Sequence, residues 1–202
     1  MKDAAQRPPN PLKGGLSVVE GADAPERMCA NMASRYYFDF GRVRDMKKRY
    51  YIAYGSNLNV QQMQMRCPYA SVLGTAELDG WELLFKGSKT GSYLTIEECE
   101  GGKVPVTIWA VTETDEAALD RYEGFPSFYY KRDIQVRYKG IRSGKYRTVN
   151  AFVYIMHEDR PIGVPSNFYM RTCLQGYDAF GFDENILLDA YDKCREAVEY
   201  EE

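Results

Sequence analysis

From residue 48 onward, short β-branched and aromatic runs separated by turn residues give way, toward the end of the chain, to helical spacing. The run from Lys48 to Tyr54 has strand propensity. Asn59 then caps a short helix, Val60 to Arg66, which Pro68 prevents from continuing. Strand-like runs follow at Ser71–Leu78, Gly80–Phe85, Tyr93–Cys99 and Val104–Val111, the last after a turn predicted at Gly101-Gly102. Thr112 or Thr114 caps a helix whose first turn carries Asp115 and Glu116, acids placed where the macrodipole favours them. Gly124 closes that helix. Two more strands, Tyr129–Tyr138 and Tyr146–Met156, are joined by a turn at 139–145. Ser166 caps a helix to about Phe180, stopped by Gly181. Asp183 caps the last helix, Glu184 to about Tyr200, where Ile186, Leu187, Ala190, Tyr191, Cys194 and Val198 recur at three-and-four spacing. Strands in the middle and helices at the end predict an α+β fold with a mostly antiparallel, barrel-like sheet.

Residues 1–45 break the pattern. They hold Pro8-Pro9-Asn10-Pro11 and Gly14-Gly15 with few regularly spaced hydrophobes, and read as a largely disordered leader with a short element around Arg35–Phe40. A single folded domain is predicted over 46–202. The net charge of −3 gives no support to nucleic-acid or anionic-membrane binding. It conceals an asymmetry: residues 1–49 carry ten Lys/Arg against six Asp/Glu, leaving an acidic body. Five cysteines form no C-x-x-C pair, which predicts reduced, buried thiols and a cytoplasmic setting. No stretch of 18 apolar residues predicts a membrane span, and Met1–Gly15 lacks a secretory apolar core.

Two stretches carry candidate chemistry. Tyr51-Ile52-Ala53-Tyr54-Gly55-Ser56-Asn57-Leu58-Asn59 reads as a strand, a tight turn and a helix start, a combination that leaves backbone N–H groups free to hold a carboxylate or oxyanion. In Leu119-Asp120-Arg121-Tyr122-Glu123-Gly124-Phe125, Glu123 falls at a helix end, where free carbonyls disfavour a carboxylate by roughly 0.3–1 kcal/mol. With Phe125 and Phe128 nearby, dipole and desolvation both raise its pKa, as suits a group that accepts and returns a proton near neutrality. The alternative is an exposed Glu123 paired with Arg121 or Lys131. His157 is the sole histidine, which disfavours metal sites built on imidazoles and a Ser56/His157 triad. Gly87-Ser88-Lys89-Thr90-Gly91-Ser92 lacks the phosphate-loop frame and reads as a hairpin loop.

In their order and spacing, Tyr54-Gly55-Ser56-Asn57-Leu58 and Leu119-Asp120-Arg121-Tyr122-Glu123-Gly124 resemble the γ-glutamylcyclotransferase-like superfamily, which includes the plant avirulence-induced-gene-like proteins. The match extends through Gly80–Phe85, Val106–Val111, Val153–Met156 and Pro165–Tyr169, covering roughly 48–182. The resemblance implies a small mixed β-barrel flanked by helices, with a site at the barrel mouth. It implies a cofactor-independent enzyme without a metal, acting on a small-molecule γ-glutamyl substrate. The glutamyl α-amine closes on its own γ-carbonyl, giving 5-oxoproline and a free amino acid or amine. By similarity Glu123 is the general acid/base, and the N–H groups of Gly55, Ser56, Asn57 and Leu58 hold the substrate. Tyr54, Tyr130, Tyr154 and Tyr169 shape the pocket, with a one-residue ambiguity between Tyr130 and Tyr129. Gly-Ser-Asn stands where the γ-glutamylamine branch has Gly-Thr-Leu, and the Gly-Ser-Leu-Ile/Met-Trp run of glutathione-specific members is missing. Action on γ-glutamyl amino acids is therefore the expectation. An idle binding module of the same fold and removal of a γ-glutamyl protecting group are the alternatives. A homodimer is compatible with either.

Overall fold

The computed structural model describes residues 47–88 and 91–200. The predicted leader, 1–45, and Met46 lie outside the described residues. Strand β1 (Lys48–Ala53) leads through a 3-10 turn (Ser56–Leu58) into α1 (Val60–Arg66). Two long strands follow, β2 (Ser71–Ser88) and β3 (Gly91–Thr112), then α2 (Glu113–Glu123). Strands β4 (Tyr129–Gly140) and β5 (Tyr146–Met156) precede α3 (Asn167–Phe180) and α4 (Glu184–Glu199).

The strands close into a barrel in the order β1-β3-β2-β4-β5. Every pairing is antiparallel except the seam between β1 and β5, so the sheet is mostly antiparallel, as the pattern predicts, and mixed, as the resemblance implies. The predicted turn at Gly101-Gly102 is not a reversal. Both glycines lie inside β3, opposite Gly80, where the β2–β3 register shifts between Asp79 and Trp81. Gly80 (φ 82°) and Gly101 (φ 78°) take the left-handed conformation and bend two continuous strands, so the four predicted runs are halves of two. The β2–β3 pairing runs instead as far as Ser88, which faces Gly91.

Ile52, Phe85, Ile96, Ile108, Trp109 and Val153 are among the buried side chains of the core. Of the two candidate caps on α2, Thr112 is the one used. Its hydroxyl accepts from Asp115 N, and the Asp115 carboxylate accepts from Thr112 N in return, a complete capping box. At the other end Gly124 (φ 64°, ψ 32°) takes the left-handed cap and leaves Glu123 as the last helical residue. Helix α4 buries Leu187, Ala190 and Cys194, and the Cys194 Sγ accepts from Phe85 N at 3.2 Å on β2. The cysteines at 67, 99, 173 and 194 are free thiols. Among the described residues no helix is long and apolar enough to cross a membrane.

Candidate active site

Strand β1 ends at Ala53 because the chain turns sharply into a single 3-10 turn. Leu58 N donates to Gly55 O (2.9 Å) and Asn59 N to Ser56 O (3.1 Å). Asn59 then caps α1, its Oδ1 accepting from Gln62 N. The turn is gripped on both sides. The Tyr54 phenol donates to the backbone oxygen of Tyr154 at 2.7 Å. From α3, Gly176 lies against Leu58, and a Cβ at 176 would come within 2.9 Å of the Leu58 carbonyl carbon and 3.0 Å of Asn59 N. Helix and turn pack closely only because position 176 has no side chain.

Glu123 reaches into this turn from the end of α2. Its Oε1 accepts from Asn57 Nδ2 at 2.8 Å, and the same amide nitrogen donates to the Tyr51 hydroxyl at 2.7 Å. The Asn57 Oδ1 accepts from Arg66, whose guanidinium lies 3.3 Å over the Tyr122 ring. Glu123 is half-buried, lining a narrow chamber on one side and an open vestibule on the other. That burial pushes its pKa up to about 7, against the opposing pull of the Arg66 charge and the Asn57 hydrogen bond. The alternative pairing with Lys131 is not made. Lys131 is held by Glu116 and Asp120 at 2.6 Å each.

A carboxyl pKa raised by folding favours the protonated form. The stability it contributes is therefore complete below about pH 4.5 and is lost as the pH rises through about 7, leaving a cost of roughly 3 kcal/mol above it. Glu123→Gln removes that cost while keeping an oxygen for Asn57. Its urea midpoint is expected to overtake the native one progressively between about pH 5 and about pH 8. A stability difference that stays flat over that range would show that Glu123 titrates normally.

Around the carboxyl lies a narrow chamber with about 20 Å³ of room, enough for about one water, lined by Tyr51, Tyr54, Gly55, Ser56, Asn57, Leu94, Tyr129, Tyr154 and Tyr169. It adjoins an open vestibule of about 310 Å³, which shares Ser56, Glu123, Tyr129 and Tyr169 with it. A larger cleft of about 650 Å³ runs between β2 and β4, but it touches neither Glu123 nor the turn. Backbone holds two of the phenols and a carboxylate the third. Tyr129 OH donates to Leu94 O at 2.8 Å, Leu94 N donates to Tyr169 OH at 3.1 Å, and Tyr154 OH donates to Asp120 Oδ1 at 2.6 Å. Burial raises the pKa of Tyr51, Tyr54, Tyr129 and Tyr169 well above 10, so all four remain protonated near neutral pH.

Seven of the residues singled out in the sequence therefore meet at one place: Glu123, Tyr54, Gly55, Ser56, Asn57, Tyr154 and Tyr169. Two do not. Tyr130 is corrected to Tyr129: on β4 the side chains alternate, so Tyr129, opposite Met156, shares a face with Tyr154, while Tyr130, opposite Ile155, turns away. The Tyr130 phenol instead donates to Glu158 Oε1 at 2.7 Å. Leu58 is also corrected. Its amide is used inside the turn and its buried side chain lies beneath Gly176, outside the chamber. Ser56 lines the chamber, whereas His157 Nε2 lies 2.8 Å from Pro126 O and its ring against Tyr130. Sequence reasoning missed Tyr51, Leu94, Arg66 and the role of Asn57 as the bridge to Glu123. Tyr51 had one usable signal, its two-residue spacing to the strand end. Arg66 had none beyond its place in the last turn of a helix. Among the described residues no group of three His, Cys, Asp or Glu is arranged to hold a metal ion.

A family model described as "Gamma-glutamyl cyclotransferase, AIG2-like" matches residues 51–171, spanning both the turn and Glu123. A gamma-glutamylcyclotransferase of Bos taurus is 30% identical over 166 residues, covering 78% of this chain and 82% of its own length. The Homo sapiens protein of the same name is 29% identical over 157 residues, covering 74% and 78%. A solved gamma-glutamyl cyclotransferase superposes with a TM-score of 0.60 at 23% identity, covering 74% of this chain and 87% of that one. An uncharacterized protein from Homo sapiens superposes with a TM-score of 0.58 at 26% identity, covering 73% and 86%.

Proposed function

The chain belongs to the gamma-glutamyl cyclotransferase, AIG2-like family, and from that premise we propose that it is an enzyme releasing 5-oxoproline from a small γ-glutamyl compound. The observation that carries the reading is Glu123: a half-buried carboxyl group hydrogen-bonded to the side chain of the turn that would hold the substrate, its pKa pushed up to about 7. In the proposed reaction the Glu123 carboxylate takes a proton from the substrate's α-ammonium. The freed amine attacks the γ-carbonyl carbon and forms the lactam C–N bond. The original amide C–N bond breaks as Glu123 returns its proton to the departing nitrogen, and the carboxylate so restored takes the second, surplus proton from the new lactam nitrogen and passes it to solvent. Closure of a five-membered ring within one molecule loses little entropy once the glutamyl chain is folded back.

The amides of Ser56 and Asn57 head the turn, ahead of the two that close it, and we assign them to the glutamyl carboxylate or the carbonyl oxygen. Tyr54, Tyr129 and Tyr169 line the same space and leave room in it for about one water. The chamber as it stands holds about one water, so the glutamyl part would seat at its mouth beside Glu123, with the vestibule left for whatever leaves. Incubation of the full chain with γ-glutamyl-alanine is expected to release 5-oxoproline and alanine in equal amounts, at a rate unchanged by EDTA. Binding without 5-oxoproline release would instead identify a sensing module. A strict divalent-metal requirement would overturn the proton-transfer scheme.

A further inference from the structure

We propose that the vestibule beside Glu123 is the leaving-group subsite and that it selects γ-glutamyl compounds whose departing amine carries a flat aromatic side chain. The inference rests on the cyclotransferase reading and adds to it the class of group released. Of the residues lining the vestibule, five present rings: Tyr93, Tyr122, Phe128, Tyr129 and Tyr169. Tyr93 stands edge to face with two of the others, the arrangement that ring quadrupoles favour. Tyr93 lies 5.1 Å from Tyr169 at 83° and 6.2 Å from Phe128 at 77°. Tyr93 and Tyr122 remain 38% and 48% exposed, so the wall is wet and an aromatic guest would dry it.

The wall is also held in place. Arg66 stacks 3.3 Å over Tyr122, whose hydroxyl lies 3.3 Å from Ser56 Oγ, and Arg160 lies 4.9 Å over Phe128. Little side-chain freedom is then lost on binding. The volume of about 310 Å³ admits a single amino-acid side chain of any size. Position supplies the connection to chemistry. Ser56 and Glu123 belong to both spaces, so an amide whose carbonyl reaches Glu123 directs its departing nitrogen outward among the rings. The bond that breaks is that amide C–N bond, and the proton delivered by Glu123 lets the group leave as a neutral amine. Ring faces and the Glu123 carboxyl both present negative potential, so an acidic side chain is disfavoured in the same place.

The test compares kcat/KM of the full chain for γ-glutamyl-phenylalanine, γ-glutamyl-alanine and γ-glutamyl-glutamate. The phenylalanine compound is expected to exceed the alanine compound on the order of tenfold, with the glutamate compound below both. Tyr93→Leu is expected to bring the phenylalanine-to-alanine ratio down toward one, while Tyr93→Phe preserves it. Release of 5-oxoproline from all three at similar kcat/KM overturns this inference and leaves the cyclotransferase reading standing. So does a Tyr93→Leu ratio as high as the native one. No 5-oxoproline from any of the three overturns both.

Discussion

Glu123→Gln is expected to lower 5-oxoproline release by between ~100-fold and ~10,000-fold, the range for loss of a positioned acid/base group. The glutamine has the same shape and keeps an oxygen for Asn57 Nδ2, which already donates to the native carboxyl at 2.8 Å. Fold and substrate binding should therefore survive, and the loss should appear in kcat rather than KM. The native protein is also expected to gain activity as the pH rises through about 7, where Glu123 loses its proton, and the residual activity of the variant should lack that step. Near-native turnover in the variant would remove Glu123 from the reaction. The same substitution is expected to raise stability above neutral pH, so one residue is disadvantageous for folding and necessary for turnover. Finding both effects together would be hard to reconcile with a merely structural carboxyl.

Gly176→Val is expected to abolish most activity from a residue that does not line the chamber. A branched side chain at 176 would drive into Leu58, with the turn's backbone only 2.9 and 3.0 Å from its first atom. Overpacking of this kind costs ~1–3 kcal/mol, and the intrinsic gain from replacing a helical glycine is below ~1 kcal/mol, so the clash wins. The softer partner is the three-residue turn, not the 14-residue helix α3. Pushing the turn away carries Asn57 off Glu123, and a misplacement of about 1 Å is worth on the order of 100-fold in rate. Turnover and the urea midpoint should both fall. An active variant unfolding at the native midpoint would show that α3 does not set the position of the turn.

Local signals located much of this molecule. Asn59, Thr112, Ser166 and Asp183 all cap helices as their side chains suggested, because a cap is settled within four residues of sequence. Gly124 and Gly181 end helices for the same reason. The Gly101-Gly102 pair misled because glycine permits a left-handed bend as readily as a reversal, and only the partner strand decides which is made. At the site, the turn and Glu123 were legible as two separate oddities. What joined them was not, since Asn57 and Glu123 are 66 residues apart and their hydrogen bond depends on how α2 lies across the sheet. The exchange of Tyr130 for Tyr129 has a similar origin. Which of two adjacent tyrosines faces inward is fixed by register with β5, and adjacent residues of one type carry no mark of that register.

The parallel seam between the first strand and the last sets an order of assembly. Tyr51 and Ile52 find Phe152 and Val153 about a hundred positions away, and Tyr54 reaches the backbone of Tyr154 across the same interval. Contacts so distant along the chain form late, after the intervening hairpins have shortened the search. During synthesis the glycine turn is among the first parts of the domain to emerge, and β1 can pair with β3, but its seam partners Phe152 and Val153 are the seventh and eighth residues of β5. A nascent chain cut short before that point carries every atom of the turn and of Glu123 without the β5 and α3 walls, so the chamber closes only late in synthesis.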